Sequence, residues 1–360
     1  MTSAPGRTES AEGAETPRPT AWAILGAGRI AGSFAADLAE TPGAELVAVG
    51  SRSQASADAF SAQHGGAAYA SYEALLADIG THGADVVYVA SPHSHHDEHA
   101  RLVLDAGLPV LCEKPLTLDA ATTADLCAYA RDRGLFFMEA MWTACHPRIR
   151  AAAELLASGE LGQPRQLRAG LGFAVPRDPT SRMWDPELGA SAVLDMGIYP
   201  LTLARLLLGE PTGIAAVGAV DDRGVDTDAA MALTYASGAI AALTVTMTSH
   251  PRTDAEVATS TGRLHLEAPF HHPPRITFTP AGSATDAAGA EGGTARVIEG
   301  ASPVIGRGYG NEAAEVARCL AAGELESPLW THADSIAMAQ QMDAVRARLG
   351  VPGVPGVPRG

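Results

Sequence analysis

The feature that most constrains the fold of this chain is a short apolar strand that runs directly into a glycine-rich turn and a helix. Residues 22–25 read Trp-Ala-Ile-Leu, and residues 26–31 read Gly-Ala-Gly-Arg-Ile-Ala, a G-x-G-x-x-A pattern. In such a turn the first glycine permits the tight bend, the second lets the backbone approach a pyrophosphate, and the last small residue allows close helix–strand packing. The helix N-terminus then faces the phosphates. This context predicts a dinucleotide-binding βαβ unit with contacts from Gly26, Ala27, Gly28, Arg29 and Ile30.

The end of the second strand indicates which dinucleotide binds. An NAD site usually has Asp or Glu at this point to bind the ribose hydroxyls, whereas residues 50–53 read Gly-Ser-Arg-Ser. A guanidinium and two hydroxyls suit a 2′-phosphate, which a carboxylate would repel. We therefore predict NADP as the cofactor, with Ser51, Arg52 and Ser53 as its contacts. The alternative is an exposed loop arginine, with NAD as the cofactor.

A later strand also ends in polar residues. Residues 85–90, Asp-Val-Val-Tyr-Val-Ala, read as a strand that is apolar after its first residue, of the kind buried in a parallel sheet, and the loop Ser-Pro-His-Ser-His-His follows at 91–96. This loop lies at the carboxyl edge of the sheet, where ligands bind. We predict that it lines the cofactor cleft through Ser91, Pro92, His93 and His96. The spacing of His95 and His99 would also suit a metal pair on a helix, but the lining role is favoured and no metal is expected.

Residues 109–115, Pro-Val-Leu-Cys-Glu-Lys-Pro, begin as a buried strand and end in a charged pair. Such a pair is costly unless it is neutralised or used, and this strand also ends at the carboxyl edge. We predict that Glu113 and Lys114 lie at the cofactor, and that Lys114 orients a substrate oxygen and lowers the pKa of a neighbouring proton donor. The alternative is a strand that stops at a turn, with Lys114 in water. The Lys114–Pro115 bond is a candidate for the cis form, because X–Pro bonds adopt it at small cost.

The chain length bounds the domain organisation. A chain of 360 residues suits two domains. We place a dinucleotide-binding domain at 21–140 and a substrate-binding and oligomerisation domain at 141–350, with a C-terminal helix able to pack back on the first domain. Residues 1–20 read as a disordered tail and residues 351–360 as a flexible one.

Composition and charge exclude several kinds of partner. The net charge of −16 argues against nucleic acid, because the chain offers no basic field. No stretch is apolar and charge-free enough to predict a membrane span, so no membrane partner is expected. The four cysteines are scattered without a C-x-x-C spacing, which argues against a zinc site and against a disulfide framework. We therefore expect a reducing, cytoplasmic location.

The second half of the chain changes pattern. Strand signals occur at residues 165–173, 214–220, 229–235, 239–247, 256–259, 264–267 and 275–278. Short turns such as Ser237-Gly238 and Thr261-Gly262 imply antiparallel pairing. A helix that begins near Ala190 carries Asp195 and Tyr199, and their i,i+4 spacing puts both side chains on one face. Taken alone, this spacing favours an ordinary helix–helix contact.

Several of these motifs, in this order, resemble the Gfo/Idh/MocA oxidoreductase family. They are the G-x-G-x-x-A turn, the strand ending in Ser-Pro-x-x-x-His, and Val-Leu-Cys-Glu-Lys-Pro at 110–115. Met-Glu-Ala-Met-Trp at 138–142 with His-Pro at 146–147, and the segments 182–189 and 194–200, are similar to the branch of dimeric dihydrodiol dehydrogenases and NADP-dependent D-xylose 1-dehydrogenases. The resemblance covers residues 21–350. One departure is Gly-Ala-Ser at 189–191, where the family usually has a glycine-rich run.

The resemblance implies a fold class and a catalytic set. The fold would be an α/β Rossmann domain followed by an α+β domain with a large, open, mostly antiparallel sheet, one face of which forms dimers in many members. Lys114, Asp195 and Tyr199 match the family's catalytic residues. Tyr199 would donate or accept a proton during hydride transfer, helped by the Lys114 cation, and Asp195 would orient the substrate or the ammonium. The substrate-pocket candidates are Trp142, His146 and Arg182, with ordinary packing as the alternative for each.

The function expected from this resemblance is an NADP-dependent dehydrogenase that acts on a CH–OH group of an aldose, polyol or trans-dihydrodiol. We expect a homodimer or a homotetramer. Two alternatives stay open at this point. One is another sugar or inositol oxidoreductase, and the other is a catalytically silent protein that binds NAD(P) and regulates a partner.

Overall fold

The computed structural model describes residues 18–178, 181–282 and 293–352. Its first sheet is six-stranded and parallel throughout, in the order β3-β2-β1-β4-β5-β6. These strands are β1 (Thr20–Leu25), β2 (Ala44–Gly50), β3 (Ala67–Tyr69), β4 (Val86–Val89), β5 (Val110–Glu113) and β6 (Phe137–Ala140). The order reverses between β1 and β4, as in doubly wound dinucleotide-binding folds, so the carboxyl ends of these two strands flank a crevice.

Helices connect these strands and cover both faces of the sheet. They are α1 (Arg29–Ala39), α2 (Gln54–His64), α3 (Tyr72–Ala77), α4 (Ile79–His82), α5 (His96–Asp105) and α6 (Ala120–Asp132). Strands β4, β5 and β6 are buried along their whole length, which is typical of a parallel sheet covered on both sides. Side-chain caps start several helices, because Ser53 accepts from the Ser56 N–H at α2 and Asp119 accepts from the Thr122 N–H at α6.

The second sheet is eight-stranded, in the order β14-β13-β12-β11-β7-β10-β9-β8. Its strands are β7 (Pro164–Gly172), β8 (Pro211–Val220), β9 (Asp226–Tyr235), β10 (Ile240–Thr246), β11 (Ala255–Thr259), β12 (Gly262–Leu266), β13 (Ile276–Pro280) and β14 (Arg296–Val297). All its pairs are antiparallel except β7 with β10, which run parallel. The predicted fold class, a Rossmann domain plus an α+β domain with a large, mostly antiparallel sheet, is confirmed.

Helices cover one face of the second sheet and return the chain to the first. They are α7 (Trp142–Cys145), α8 (Pro147–Ala157), α9 (Ile198–Leu208), α10 (Tyr309–Ala322) and α11 (His332–Leu349). Along β9 and β10 buried and exposed residues alternate, so these strands have one covered and one open face. Helix α11 packs on α6 of the first domain, where Asp343 accepts from the Ala120 N–H at 2.9 Å.

The fold begins inside the segment predicted as a disordered tail. Residues 1–17 and 353–360 lie outside the described residues, but Thr20 opens β1 and the Arg18 guanidinium pairs with Asp85 at 2.6 Å. At the other end, Val351 is buried and its N–H donates to the Arg346 carbonyl at 3.1 Å. Secondary structure and tertiary contacts therefore extend slightly beyond the predicted domain limits at both ends.

One helical stretch also differs from the sequence prediction. Within the described ranges, Pro186–Leu208 is long and apolar enough to span a membrane by length and composition. Its most apolar window is 78% buried inside the fold, which is typical of a core helix. This stretch carries Asp195 and Tyr199, so its apolar side chains serve to hold these two residues in the interior.

Candidate active site

The glycine turn after β1 is shaped to receive a dinucleotide. Gly26 has φ +111°, and a Cβ there would lie 2.7 Å from the Ala90 carbonyl oxygen, so only glycine fits. Gly28 instead faces open space, because a Cβ built on it meets no described atom within 4 Å. No side chain among the described residues caps the N-terminus of α1. The open approach at Gly28 and the uncapped N–H groups of α1 fit a pyrophosphate.

The residues after β2 fit the 2′-phosphate of NADP through Arg52. Arg52 is exposed and forms no hydrogen bond or ion pair with another residue of the described ranges. Ser51 is buried, and its N–H donates to the Tyr69 carbonyl at 3.0 Å. The Ser53 hydroxyl caps α2, which is a structural use that the prediction of Ser53 as a cofactor contact did not include.

A cavity of about 670 Å³ lies between α1 and α2. It begins at Ala27, Gly28 and Arg29 and continues along α2 to His64, with Arg307 on its rim. None of Lys114, Asp195 and Tyr199 lines it. The cavity therefore borders the glycine turn, while the predicted catalytic residues lie elsewhere, at the end of β5 and at the start of α9.

The three predicted catalytic residues meet at one point. The Lys114 Nζ donates to the backbone carbonyl of Asp195 at 2.8 Å and lies 3.5 Å from the Asp195 Oδ1. The same ammonium lies 4.8 Å from the centroid of the Tyr199 ring. Residues from the end of β5 and the start of α9 are thus brought together around one cation.

Charges around Asp195 keep this carboxylate ionised. Burial acts to raise its pKa, but the charges of Lys114 and Arg182 outweigh burial and lower the pKa to about 2. Arg182 was predicted as a substrate-pocket residue, and its Nη1 lies 3.7 Å from the Asp195 Oδ1 at the exposed side of the cluster. Asp195 therefore serves as a fixed negative charge between two cations.

The environment of Tyr199 corrects one prediction. Its hydroxyl oxygen accepts a hydrogen bond from the Trp142 Nε1 at 3.1 Å. Burial raises the pKa of Tyr199 well above its usual value, and the nearby carboxylate of Glu113 adds to the rise. The net shift is thus opposite to the predicted lowering, because burial outweighs the effect of the Lys114 ammonium, which lies over the ring and donates to Asp195. Tyr199 is a neutral phenol that can donate a proton.

The backbone that carries Asp195 and Tyr199 is not the regular helix predicted from their spacing. Val193–Gly197 form a π-helical turn, and α9 begins only at Ile198. Such single wide turns occur often at functional sites. The Val193 N–H donates to the buried Asp226 carboxylate at 2.8 Å, which anchors the start of the turn on β9.

The loop after β4 is held in place by two histidines of α5, His96 and His99. His96 is buried, with Nδ1 2.9 Å from the Pro115 carbonyl and Nε2 2.9 Å from the Ser91 carbonyl. Burial lowers its pKa to about 4, so the ring is neutral. His96 therefore joins two loops, whereas the sequence analysis placed it in the cofactor cleft. The Ser91 hydroxyl is likewise engaged, at 2.8 Å from the His99 Nδ1.

His93 takes a different position from His96. It is buried, and its Nε2 has no hydrogen-bond partner among the described residues. Burial lowers the pKa of His93 to about 3, although Asp195 lies close enough to oppose the shift. The predicted cleft residue His93 thus belongs to the Lys114–Asp195 cluster, while the half-buried Pro92 only precedes it at the start of the turn.

His95 and His99, whose spacing would also suit a metal pair, have other contacts in the structure. The rings of His95 and His99 stack with centroids 5.5 Å apart, and His99 is already engaged with Ser91. Within residues 18–178, 181–282 and 293–352, no group of three or more ligating side chains is arranged to hold a metal ion.

Two buried glutamates anchor the turn that carries Lys114. Glu113 accepts hydrogen bonds from the Tyr88 hydroxyl and from the Lys114 N–H, and burial raises its pKa. Glu139, from β6, accepts from the Leu116 N–H at 2.9 Å and from the Trp330 Nε1 at 3.0 Å. The Lys114–Pro115 bond is cis, as predicted. Glu113 thus supports the Lys114 turn from inside the fold.

A cluster of rings around Trp142 was largely missed by the sequence analysis. Tyr309 stacks on Trp142 with centroids 4.2 Å apart, and His272 stacks on it at 5.0 Å. The ring of His271 lies 4.6 Å from that of Tyr199. Tyr309 is positioned by the loop before α10, whose N–H groups at 307–309 donate to the Asp37 carboxylate of α1 at 2.7–3.1 Å. The only signal in the sequence is the short run Phe-His-His-Pro-Pro at 270–274.

His146, the remaining predicted substrate residue, lies at the edge of this ring cluster. It is buried, its Nδ1 has no hydrogen-bond partner among the described residues, and burial lowers its pKa to about 4. A Cβ on Gly308 would lie 3.2 Å from the Trp142 ring and 3.6 Å from the His146 ring, so this glycine allows the loop to approach both.

A doubly wound sheet with a glycine turn, and a lysine, a carboxylate and a phenol at its carboxyl edge, define a dinucleotide-dependent oxidoreductase. Comparison with known proteins agrees. Residues 20–141 match the model of the oxidoreductase family with an NAD-binding Rossmann fold, and residues 149–265 match that of the GFO/IDH/MocA C-terminal domain.

Individual relatives extend over most of the chain. A trans-1,2-dihydrobenzene-1,2-diol dehydrogenase from Sus scrofa is 33% identical and covers 92% of this chain and 97% of its own. A D-xylose 1-dehydrogenase (NADP(+)) from Haloferax volcanii is 38% identical over 64% of this chain and 70% of its own. The crystal structure of the 3-ketoreductase KijD10 from Actinomadura kijaniata, in complex with NADP and TDP-benzene, is 29% identical with a TM-score of 0.79, covering 92% and 98%. The chain belongs to the GFO/IDH/MocA oxidoreductase family, as the sequence motifs predicted.

Proposed function

We propose that this protein is an NADP-dependent oxidoreductase that interconverts a CH–OH group and a carbonyl on an aldose, polyol or trans-dihydrodiol. The observation that carries the proposal is the convergence of Lys114, Asp195 and Tyr199 at the carboxyl edge of a sheet whose glycine turn fits a dinucleotide. When bound, the nicotinamide supplies or accepts the hydride. The names of the relatives support both the reaction class and the substrate classes.

In this proposal Tyr199 is the proton donor and acceptor. The neutral phenol donates its proton to the carbonyl oxygen as hydride reaches the carbonyl carbon, and it takes the proton back in the oxidative direction. The Trp142 N–H donates to the phenol oxygen, which stabilises the phenolate left after proton transfer. Tyr199 is thus the catalytic acid and base, and Trp142 positions it.

Lys114 and Asp195 fix the substrate in this proposal. The Lys114 ammonium lies close to Asp195 and to the Tyr199 ring, so it can donate to the substrate oxygen while keeping its bond to the Asp195 carbonyl. Asp195 remains ionised because of its two cationic neighbours, and it balances the charge of Lys114 within a partly buried site. A buried ammonium without such a partner would be strongly destabilising.

We also propose NADP in preference to NAD. The support is the exposed Arg52 guanidinium at the end of β2, in a segment without a carboxylate. Phosphate oxygens accept charge-assisted hydrogen bonds from such a group. Michaelis constants measured for both cofactors test this, and we expect the constant for NADP to be the lower one. A clear preference for NAD would overturn the assignment.

The experiment that tests the function is an NADPH absorbance assay of the full chain with a panel of aldoses, polyols, inositols and trans-dihydrodiols. We expect turnover with at least one aldose, polyol or trans-dihydrodiol. Turnover with inositols alone would favour an inositol oxidoreductase. Cofactor binding without turnover of any compound would favour a regulatory NAD(P)-binding protein.

We further propose that two copies of the chain pair through the open face of the second sheet. On this face the cross-strand rows Val217–Ala230–Thr244 and Ala215–Ala232–Ala242 are small and uncharged, and Val217 is 71% exposed. A flat, small-residue face of this kind suits sheet-on-sheet packing with an identical copy. Sedimentation velocity should give a dimer or a tetramer for the native protein and a smaller species for A232E. A monomeric native protein would overturn the proposal.

A further inference from the structure

The ring cluster around Trp142 contains a histidine that the proposed mechanism does not use. His271 lies between β12 and β13, and its ring centroid is 4.6 Å from that of Tyr199 and 5.6 Å from that of Trp142. Its backbone is fixed, because the Thr143 hydroxyl donates to the His271 carbonyl at 2.9 Å. The imidazole is therefore held directly beside the phenol that handles the proton.

The fold leaves hydrogen-bonding capacity on this imidazole. The Nδ1 of His271 is buried and has no hydrogen-bond partner in the described part of the chain. Burial lowers the pKa of His271 well below its usual value, and His272 and Lys114 add to this effect, so the ring is neutral. A neutral imidazole offers one N–H donor and one lone-pair acceptor. A buried polar atom without a partner costs free energy and calls for an explanation, which a ligand would provide.

We propose that His271 is a specificity-determining residue that hydrogen-bonds a hydroxyl of an aldose or polyol on a carbon beyond the one next to the reacting carbon, a position where a trans-dihydrodiol carries no oxygen. This inference rests on the proposed function and deepens it. Every carbon of an aldose chain carries an oxygen, whereas a trans-dihydrodiol carries only its two hydroxyls on an otherwise apolar ring. A site built to bond a hydroxyl rejects the analogue that lacks it, because the polar group of the site is then left unpaired.

Two substitutions separate hydrogen bonding from ring packing. His271→Phe keeps a flat ring beside Tyr199 and removes both nitrogens, whereas His271→Asn keeps one donor and one acceptor in a smaller side chain. His250→Phe, the same change at an exposed residue after β10, serves as the control for nonspecific effects. The readout is the ratio of kcat/KM for D-xylose to kcat/KM for trans-1,2-dihydrobenzene-1,2-diol.

We expect H271F to lower this ratio about tenfold, chiefly through a higher KM for D-xylose, because one hydrogen bond is lost. H271N should stay within about threefold of the native ratio, and H250F should equal it. An unchanged ratio in H271F, or an equal loss with both substrates, would overturn the proposal.

A second measurement keeps this inference separate from the proposed function. If the native protein turned over neither substrate, the proposed function would fail. Calorimetric binding of xylitol to the NADPH-loaded protein would still report on His271. Binding about tenfold weaker in H271F than in the native protein supports the inference, and equal or absent binding in both proteins overturns it.

Discussion

The cofactor edge and the ring cluster around Trp142 are built in opposite ways. The cofactor edge consists of short segments that directly follow parallel strands, at 26–31, 50–53, 91–96 and 113–115. The ring cluster consists of residues far apart in the sequence, such as Trp142, Tyr199, His271 and Tyr309, which meet only through their side chains. The first region follows from topology, and the second requires the packed tertiary structure.

The two regions also differ in how they hold charge. At the cofactor edge Lys114 and Asp195 neutralise each other inside the fold. Around Trp142 the groups are aromatic rings and neutral imidazoles, whose pKa values are lowered by burial. The charged pair at the cofactor edge suits a substrate oxygen that gains or loses a proton. The neutral donors and acceptors around Trp142 suit the recognition of substrate hydroxyls.

The largest expected effect lies at the charged region. Lys114→Ala should lower kcat by about a thousandfold, because an oriented cation beside the reacting oxygen is lost. NADPH affinity, measured by fluorescence titration, should change less than about threefold. Arg101→Ala, which removes ion pairs to Asp97 on α5 and to Asp125 on α6, should leave kcat unchanged. Loss of NADPH binding in K114A would show that Lys114 binds the cofactor and would contradict its assignment as a catalytic residue.

The next effect probes the contact between the two regions. Tyr199→Phe should lower kcat about a hundredfold, since the proton donor is removed while the ring remains. Trp142→Phe keeps an aromatic ring, although a smaller one, and removes the N–H that stabilises the phenolate, so it should raise the pKa of Tyr199. In the oxidative direction Tyr199 must be deprotonated to accept the proton, so the rising limb of the pH profile of kcat/KM should move to higher pH. An unmoved profile in W142F would mean that the Trp142–Tyr199 bond does not influence the proton transfer.

A smaller effect sharpens the assignment of the cofactor edge. Arg52→Ala should raise KM for NADP about tenfold through the loss of a charge-assisted contact to phosphate, and should leave KM for NAD unchanged. Arg133→Ala, at a surface pair with Asp105, is the matched control. Equal changes in KM for NADP and for NAD in R52A would show that Arg52 does not bind the 2′-phosphate.

The smallest effect is on stability and follows from the lowered pKa of Asp195, about 2. An ionised Asp195 stabilises the fold at pH values above the unfolded-state pKa near 4, and this contribution is lost as pH falls toward 2. The stability gap between the native protein and D195N should therefore be roughly 2 kcal/mol at neutral pH and shrink on acidification. Urea midpoints at neutral and acidic pH measure it, and a gap that widened in acid would contradict the assigned ionisation.

The sequence was sufficient where structure depends on local pattern. The turn at Gly26 and Gly28, the strand ending at Glu113 and the hairpins of the second sheet follow from turn chemistry and residue period. Parallel strands share one edge, so the position of Lys114 near the glycine turn could be inferred as well.

The sequence was insufficient where structure depends on side-chain competition. Nothing local distinguishes Ser53, which caps α2, from a serine that faces a phosphate. His96 was assigned to the cofactor cleft because its loop lies at the carboxyl edge of the sheet, whereas its two carbonyl partners come from separate loops that no local pattern brings together. The π-helical turn at Val193–Gly197 breaks the i,i+4 rule that a regular helix would obey.

His271 could not be found from spacing because the contact that fixes it joins residues far apart in the chain. Its carbonyl binds Thr143, 128 positions away in the sequence. Likewise, Tyr309 reaches Trp142 only because its loop is held by Asp37 on α1. Contacts of this kind produce no periodic residue pattern in the sequence of either segment.

The measurement that tests the central claim most directly is a double-mutant cycle on Lys114 and Tyr199. Both residues are proposed to act in one centre on one substrate oxygen. Single-turnover hydride transfer in K114A, Y199F and the double variant should therefore be non-additive, with the double variant within about threefold of the slower single variant. Fully additive losses in the double variant would contradict a single centre, because they would mean that the two residues act independently.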